Sequence, residues 1–294
     1  MLRLLVAALA CASLVFAADS EEEHIRKSVP VSSATRLVLN VDAGSIHLQP
    51  GNEKTVDVDV YFHGSRPSRG DRERLRREYT LDVAQQGSEI HVTGNFRDGP
   101  DQFFGIFRFF TWPREVEYRV TVPKNFNADV ATAGGPIAVS DLQGQVHART
   151  SGGPISLEGV EGDVDVSTSG GPISIERNAG RVRAHTSGGP IAINESRGAI
   201  DASTSGGPVS ATLLGQPKED CRLSTSGGNI DVRLSRDIHM DLDAATGGGR
   251  VSTDFPVTIS GERNPGELRA ALNGGGPRLY LRTSGGGIRV HHAD

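Results

Sequence analysis

The sequence predicts an all-β fold, a single-stranded parallel β-solenoid (β-helix) with about 18–21 residues per coil. The first observation is a phrase of the form Thr-Ser-Gly-Gly-Pro-Ile that returns along the C-terminal half of the chain. The threonines that open its copies are Thr132, Thr150, Thr168, Thr186, Thr204, Thr225, Thr246 and Thr283. The first five are 18 residues apart and the next two intervals are 21. A fixed period of this size is typical of a solenoid in which each repeat forms one coil.

The second observation is the alternation of apolar and polar residues within one coil, residues 150–167. Ile155 and Leu157 form one alternating segment, and Val164 and Val166 form another. Alternation with period two predicts short strands with one buried face. No segment between them has the length or periodicity of a helix, so the simplest arrangement is parallel strands stacked coil on coil.

The third observation is that aligning the coils gives columns of matching residues. The inward columns include Ile137, Ile155, Ile173, Ile191, Val209, Ile230, Val251 and Ile288, and also Val146, Val164, Val182, Ile200, Cys221 and Leu242. One outward column alternates in charge and contains His147, Asp165, Arg183, Asp201, Arg222 and Asp243. Opposite charges on neighbouring strands favour in-register stacking. A charged binding stripe is the alternative interpretation of this row.

The corners between coils are predicted from the Thr-x-Gly-Gly-Pro phrase. Paired glycines indicate either positive φ or a close approach of two backbones. The proline that follows has no N–H donor, so it must precede a strand rather than lie within one. The threonine column suggests hydroxyl groups that bond to the corner backbone, and an ice-binding ladder is the alternative.

Taken in order, the chain divides into four parts. Residues 1–17 have the charge, apolar run and small-residue cleavage site of a signal peptide, which predicts export to the periplasm, cell surface or medium. Residues 18–34 are expected to be disordered. Residues 35–131 form an N-terminal β region with strands predicted at 35–41, 44–48, 55–61, 79–83, 89–93 and 116–122 and one Arg-rich helix at 71–78. Residues 132–294 hold the solenoid repeats.

A Phe-rich insert interrupts the N-terminal region at residues 103–112. It contains five of the ten phenylalanines and the only tryptophan of the chain. Its apolar members are Phe103, Phe104, Ile106, Phe107, Phe109, Phe110 and Trp112. One interpretation is an aromatic cap over an end or flank of the solenoid, which would otherwise expose unpaired strands. The other is an exposed patch that contacts an envelope protein, a glycan or a membrane surface.

The residues quoted above resemble a known family. A Gly44-Ser45-Ile46 opening, a Thr-Val-Pro-Lys-Asn lead-in at 121–125 and tandem Thr-Ser-Gly-Gly-x-Ile-x-Val coils are similar to the bacterial exported β-strand-repeat "putative adhesin" family, a domain of unknown function. The resemblance covers roughly residues 35–292. It implies a β-solenoid of the cell envelope without established catalytic residues.

Two classes of function follow from these observations. The first is a non-catalytic envelope scaffold or adhesin-like binding module, for which we expect no cofactor and no metal. The second is a polysaccharide-active enzyme, a lyase or hydrolase, in which the stacked carboxylates of Glu158 and Glu176 are the candidate catalytic pair. Cys221 occupies an inward column and is predicted to be a buried apolar residue. His291-His292 is a weak candidate metal cluster at a frayed end, and the net charge of −5 gives no reason to expect nucleic acid.

Overall fold

The computed structural model describes residues 23–31, 35–64, 69–96, 115–257 and 264–293. The expected signal peptide and the Phe-rich insert lie outside these residues. The helix α1 spans Arg69–Glu78. In chain order the strands are β1 (Glu23–Pro30), β2 (Arg36–Val41), β3 (Ser45–Pro50), β4 (Thr55–His63), β5 (Tyr79–Gln86), β6 (Glu89–Phe96), β7 (Glu115–Val122), β8 (Asn127–Thr132), β9 (Ile137–Ser140), β10 (Val146–Thr150), β11 (Ile155–Glu158), β12 (Val164–Thr168), β13 (Ile173–Glu176), β14 (Val182–Thr186), β15 (Ile191–Ser196), β16 (Ile200–Thr204), β17 (Val209–Leu213), β18 (Cys221–Thr225), β19 (Ile230–Leu234), β20 (Met240–Thr246), β21 (Val251–Thr253), β22 (Glu267–Leu272), β23 (Arg278–Thr283) and β24 (Ile288–His292).

The strands form two long sheets, and each coil contributes one strand to each. Sheet A has the order β1-β4-β7-β3-β9-β11-β13-β15-β17-β19-β24-β21. Sheet B has the order β22-β20-β23-β18-β16-β14-β12-β10-β8-β2-β6-β5. The alternating residues of both sheets point inward into one continuous apolar core. The predicted all-β parallel solenoid is confirmed.

The central coils stack in the predicted register. Ile155 pairs with Ile173, which pairs with Ile191, and each side chain is about 1 % exposed. A shift by one residue would turn every inward side chain of a strand to the solvent, so this pairing is strongly specified.

The threonine column forms the predicted hydroxyl ladder at the corners. Thr168 donates from Oγ1 to the carbonyl oxygen of Gly153 in the preceding coil at 3.0 Å, and accepts from the N–H of Gly171 at 3.4 Å. The same bond to the adjacent coil recurs from Thr132 to Thr283, and apart from the half-buried Thr246 these threonines are buried rather than displayed for ice binding.

The second glycine of each corner is required by backbone approach and not by positive φ. A Cβ atom on Gly171 would lie 2.0 Å from the carbonyl oxygen of Gly153. The first glycine is different, since a Cβ atom on Gly170 would lie 3.8 Å from its nearest neighbour. Neither residue has a positive φ.

The C-terminal end departs from the predicted order of the coils. Strands β23 and β24 lie between the coil β18–β19 and the coil β20–β21, so the last coil in sequence is not the last in space. Leu279 therefore separates Cys221 from Leu242 in the inward column. Strand β22 runs antiparallel to β20 and forms the edge of sheet B. Aligning the coils by sequence did not reveal the intercalated coil β23–β24, because Leu242 and Leu279 fit the same inward column equally well.

His291 and His292 do not lie at a frayed end. They belong to β24, which is paired on both sides by β19 and β21. His291 Nε2 lies 2.9 Å from Oδ1 of Asp231. The ring of His292 packs against Phe255 with centroids 4.0 Å apart. Both histidines lie within sheet A because the coil that contains β24 is inserted between two other coils.

The N-terminal end is closed by antiparallel strands and a helix. The coil β2–β3 lies between β6–β7 and β8–β9, again out of sequence order. Beyond β6–β7, strand β4 and strand β5 run antiparallel to their neighbours, and α1 connects them with Leu75 buried. Segment 18–34 was expected to be disordered, but Glu23–Pro30 forms β1 on the edge of sheet A. The reason is that Val29 is buried on the inward face while Lys27 donates to the carbonyl oxygen of Leu81 in β5.

Candidate functional site

The Phe-rich insert leaves the solenoid at a corner of the β6–β7 coil. In coil 150–167, four residues connect Thr150 to Ile155, whereas residues 97–114 connect Phe96 to Glu115. The predicted contact residues of the insert, which are Phe103, Phe104, Ile106, Phe107, Phe109, Phe110 and Trp112, lie outside the described residues. What the structure describes is the base from which the insert leaves.

An aromatic cluster fills the core beneath this corner. The Tyr79 ring contacts Phe62 and Phe96 edge to face, with centroids 4.9 and 5.1 Å away. The Tyr79 hydroxyl donates to that of Tyr118 at 3.0 Å. Gly94 makes room for both phenols, because a Cβ atom there would lie 2.6 Å from the Tyr118 oxygen and 2.7 Å from the Tyr79 oxygen. Large rings in mutual contact make this corner a rigid base.

Burial keeps both phenols protonated. It raises the pKa of Tyr118 to about 12 and the pKa of Tyr79 well above its ordinary value. The Asp42 carboxylate contributes to both shifts, and its Oδ2 accepts the backbone N–H of Phe96 at 3.3 Å. Phe96, the last described residue before the insert, is therefore held by a backbone hydrogen bond as well as by ring contacts.

The strand that follows the insert is fixed on its outer face by Glu117. Arg119 donates to the two carboxylate oxygens at 2.6 and 3.0 Å, and His63 Nε2 lies 2.8 Å from Oε2. The bonds from Arg119 hold the pKa of Glu117 below its ordinary value, although partial burial opposes them. The Arg119 guanidinium also lies 4.6 Å from the centroid of the Tyr61 ring, which stacks on His24 with centroids 4.5 Å apart.

The carboxylate pair of the enzyme hypothesis lies on the exposed outer face of the solenoid. Glu158 and Glu176 are lateral neighbours in sheet A, as the alignment of coils predicts. Glu158 is bound by Arg177 at 2.6 Å, and this pair is exposed to solvent. Cys221 is fully buried, as predicted, and burial raises the pKa of its thiol to about 11. A thiol of this kind is not a nucleophile at neutral pH.

The alternating charge row is in register over most of its length. His147, Asp165, Arg183, Asp201 and Arg222 are successive lateral partners in sheet B. The predicted end of the row is wrong, because Tyr280 of the intercalated coil separates Arg222 from Asp243.

Two further observations bear on function. Within the described ranges, no group of three His, Cys, Asp or Glu side chains has the geometry of a metal site. In the same part of the chain, no helix is long and apolar enough to cross a membrane.

Sequence reasoning missed the aromatic base and the two capped ends. Phe62, Tyr79 and Tyr118 are far apart in sequence, and only their inward positions in alternating strands could have indicated a shared core. Their contact depends on the antiparallel strands β4 and β5, which lie outside the Thr-Ser-Gly-Gly repeats and therefore give no periodic signal in the sequence.

Comparison with known proteins gives a family and a set of distant structures. The family model described as Toastrack DUF4097 matches residues 34–290. No curated protein matches the chain. A "putative cell adhesion protein" of Clostridium sporogenes is 10% identical, covering 92% of this chain and 100% of its own, with a TM-score of 0.29. A "putative adhesin" of Bacteroides fragilis is 11% identical, covering 92% and 97%, with a TM-score of 0.45. A "putative adhesin" of Parabacteroides distasonis has the same identity and coverage, with a TM-score of 0.41.

Proposed function

The chain belongs to the Toastrack DUF4097 family, and from that premise we propose that it is a non-catalytic, exported binding module of the bacterial envelope. In this proposal the solenoid is a rigid scaffold and the Phe-rich insert is its contact segment. Binding residues are often carried on loops that a rigid scaffold positions. The insert is such a segment, since it replaces a short corner in a sheet whose other corners are hydrogen-bonded from coil to coil.

The observation that carries the proposal is that the N-terminal end of the solenoid is already covered without the insert. Strands β4 and β5 cover the β6–β7 coil, and α1 connects them. Strand β1 pairs with β4 and forms the edge of sheet A. Lys27 on β1 lies on the same strand face as the buried Val29 and donates to the carbonyl oxygen of Leu81, and an inward charge discourages pairing of an edge strand with another chain. A second, aromatic cap over the same end is therefore not required. This supports the contact interpretation of residues 103–112 over the cap interpretation.

The composition of the insert favours a membrane surface or an apolar partner surface. Aromatic rings are suited to the boundary between lipid headgroups and acyl chains, and Arg108 and Arg114 provide charges for anionic headgroups. Export is proposed on the signal-like segment 1–17. The location that follows is the periplasm or the cell surface.

Deletion of residues 102–112 tests the proposal. We expect the deletion to leave the thermal midpoint of unfolding unchanged and to abolish sedimentation with vesicles that contain phosphatidylglycerol. In the intact protein, the fluorescence of Trp112 should shift to the blue only when such vesicles are added.

A matched control separates contact from capping. Replacement of Arg108 and Arg114 by Gln should weaken vesicle binding without altering the fold, since it leaves all apolar residues of the insert in place. If the deletion lowers the thermal midpoint and produces oligomers while vesicle binding stays absent in the intact protein, the insert is a cap and the proposal is wrong.

A further inference from the structure

The out-of-order C-terminal coil changes the charge pattern on the outer face of sheet B. Strand β23 lies beside β18, so Tyr280 is the lateral neighbour of Arg222. Stacking in sequence order would place Asp243 there, and its carboxylate would neutralise the guanidinium. Asp243 instead lies beyond Tyr280 and is bound by Arg282 at 2.8 Å. Arg222 therefore has an aromatic ring where the alternating row would supply a carboxylate.

A well-anchored loop borders this part of the sheet. Residues 214–220 lengthen their coil to 21 residues. Gln216 fixes the loop to the next coil, because its Oε1 accepts the N–H of His239 at 2.9 Å and its Nε2 donates to the His239 carbonyl at 3.0 Å. An open cleft of about 420 Å³ lies beside Asp220, the last residue of this loop, and extends over the neighbouring strands of sheet B to β23. Its volume is in the range of small-ligand sites.

Three arginines line this cleft, and two of them make no ion pair within 4.0 Å with any described residue. Arg181 is paired with Glu219 at 2.9 Å, and its Nε is buried without a hydrogen-bond partner. Arg222 and Arg278 line the same cleft. No carboxylate within the described ranges lies within 4.0 Å of either guanidinium. Guanidinium groups bind carboxylates in a fork geometry with two parallel hydrogen bonds.

The cleft also presents acceptors and a fixed aromatic ring. Asp201 and Asp220 line it, and Asp220 Oδ1 accepts the backbone N–H of Arg278 at 2.8 Å. The Tyr280 ring is held between neighbours, with the guanidiniums of Arg222 and Arg282 at 4.9 and 3.7 Å from its centroid. A ligand that fits must therefore offer an anionic group to the arginines and hydrogen-bond donors to the aspartates.

We propose that this cleft binds uronate units of an acidic polysaccharide. The sugar carboxylate would lie against Arg222 and Arg278, and the sugar hydroxyls would donate to Asp201 and Asp220. A sulfate ion has no hydroxyl groups for the aspartates. The cleft has three arginines and two aspartates, and Glu219 pairs with Arg181, so the long phosphate backbone of a nucleic acid would find no net positive charge there, whereas a single uronate carboxylate needs only Arg222 and Arg278. None of the residues that line this cleft belongs to the insert, and the proposal goes beyond the proposed contact with membranes.

Calorimetric titration of the purified chain with trigalacturonate tests the proposal. We expect binding of trigalacturonate and none of the neutral trigalactoside. Arg222→Gln and Arg278→Gln should each weaken binding about tenfold, the loss expected when one charge-assisted hydrogen bond is removed. Arg289→Gln is the matched control, since Arg289 is an exposed residue on the outer face of sheet A, and it should bind as the wild type does.

Several outcomes would overturn the proposal. They are undetectable binding at millimolar trigalacturonate, equal binding of the neutral sugar, or equal losses in Arg222→Gln and Arg289→Gln. Binding of polyglutamate or of a sulfated trisaccharide as tightly as trigalacturonate would reject the uronate assignment. Deletion of residues 102–112 should leave this titration unchanged, so the cleft and the insert can fail independently.

Discussion

The corner glycines offer a sharp test of how closely the coils approach. In Gly171→Ala, the added Cβ atom would lie 2.0 Å from the carbonyl oxygen of Gly153 in the coil below. Carbon and oxygen cannot approach within 3.0 Å without displacement, so the two coils must separate by about 1 Å at this corner. Backbone atoms of neighbouring coils are in contact there, and no flexible side chain can yield in their place.

The cost can be estimated from the bond that this separation weakens. The carbonyl oxygen of Gly153 accepts from the Thr168 hydroxyl of the next coil at 3.0 Å. Each buried hydrogen bond contributes about 1 kcal/mol, and overpacking adds about 1–3 kcal/mol. We therefore expect Gly171→Ala to lower the free energy of unfolding by about 2–4 kcal/mol.

Gly170→Ala is the matched control, one residue earlier in the same corner. Its Cβ atom would make an ordinary contact at 3.8 Å, and the residue has no positive φ. The substitution should be neutral or should stabilise by about 0.4–1 kcal/mol, because alanine restricts the unfolded chain. Urea unfolding followed by circular dichroism measures both variants. Equal midpoints for the two would refute the close approach of the coils.

Three further predictions address the core, the charge row and the base of the insert. Ile173→Asp buries an unpaired charge and should lower the free energy of unfolding, measured in urea, by ~3 kcal/mol or more. A midpoint equal to that of the wild type would mean that Ile173 does not face inward. Arg183→Asp places a third acid between Asp165 and Asp201 and should destabilise by less than about 1 kcal/mol, more at low salt than at high salt; an equal loss at both salt concentrations would argue against the register. Glu117 has a lowered pKa, so its stabilisation is present above the ordinary glutamate pKa of about 4.3 and is lost as the pH falls through the folded value. Glu117→Gln should thus be less stable than the wild type by about 1 kcal/mol at pH 7. This difference should shrink as the pH falls through the folded pKa of Glu117, and a difference that keeps growing on acidification below the ordinary glutamate pKa would contradict the sign.

The repeats were predictable from sequence because each coil satisfies the same local constraints. Ile155, Ile173 and Ile191 recur at one position, and the Thr-x-Gly-Gly corner can form only where one backbone passes close over another. The period, the strand register and the buried hydroxyl ladder follow from those residues alone. Cys221 was assigned correctly for the same reason, since its neighbours in the column are all buried and apolar.

The spatial order of the coils was not predictable from the same information. Coil 240–253 and coil 278–292 present matching residues to their neighbours, so both can stack on β18–β19. The choice depends on the antiparallel strand β22 and the turn after it, where Asn273 donates to the carbonyls of Arg236 and Ile238. Such long-range contacts leave no periodic signal. The cleft beside Arg222 depends on this choice and could not be found from sequence either.

The most direct test of the account is the position of the last coil in sheet A. Asp231 pairs laterally with Arg289, and Arg289 pairs with Ser252 on its other side. Adjacent parallel strands are about 4.8 Å apart, which permits a disulfide, whereas the roughly 9.6 Å between second neighbours does not. The double variant Asp231→Cys with Arg289→Cys should therefore oxidise to an intramolecular disulfide, and Asp231→Cys with Ser252→Cys should keep free thiols, as read by alkylation and mass spectrometry. A disulfide only in the second variant would show that the coils stack in sequence order and would contradict the intercalated coil.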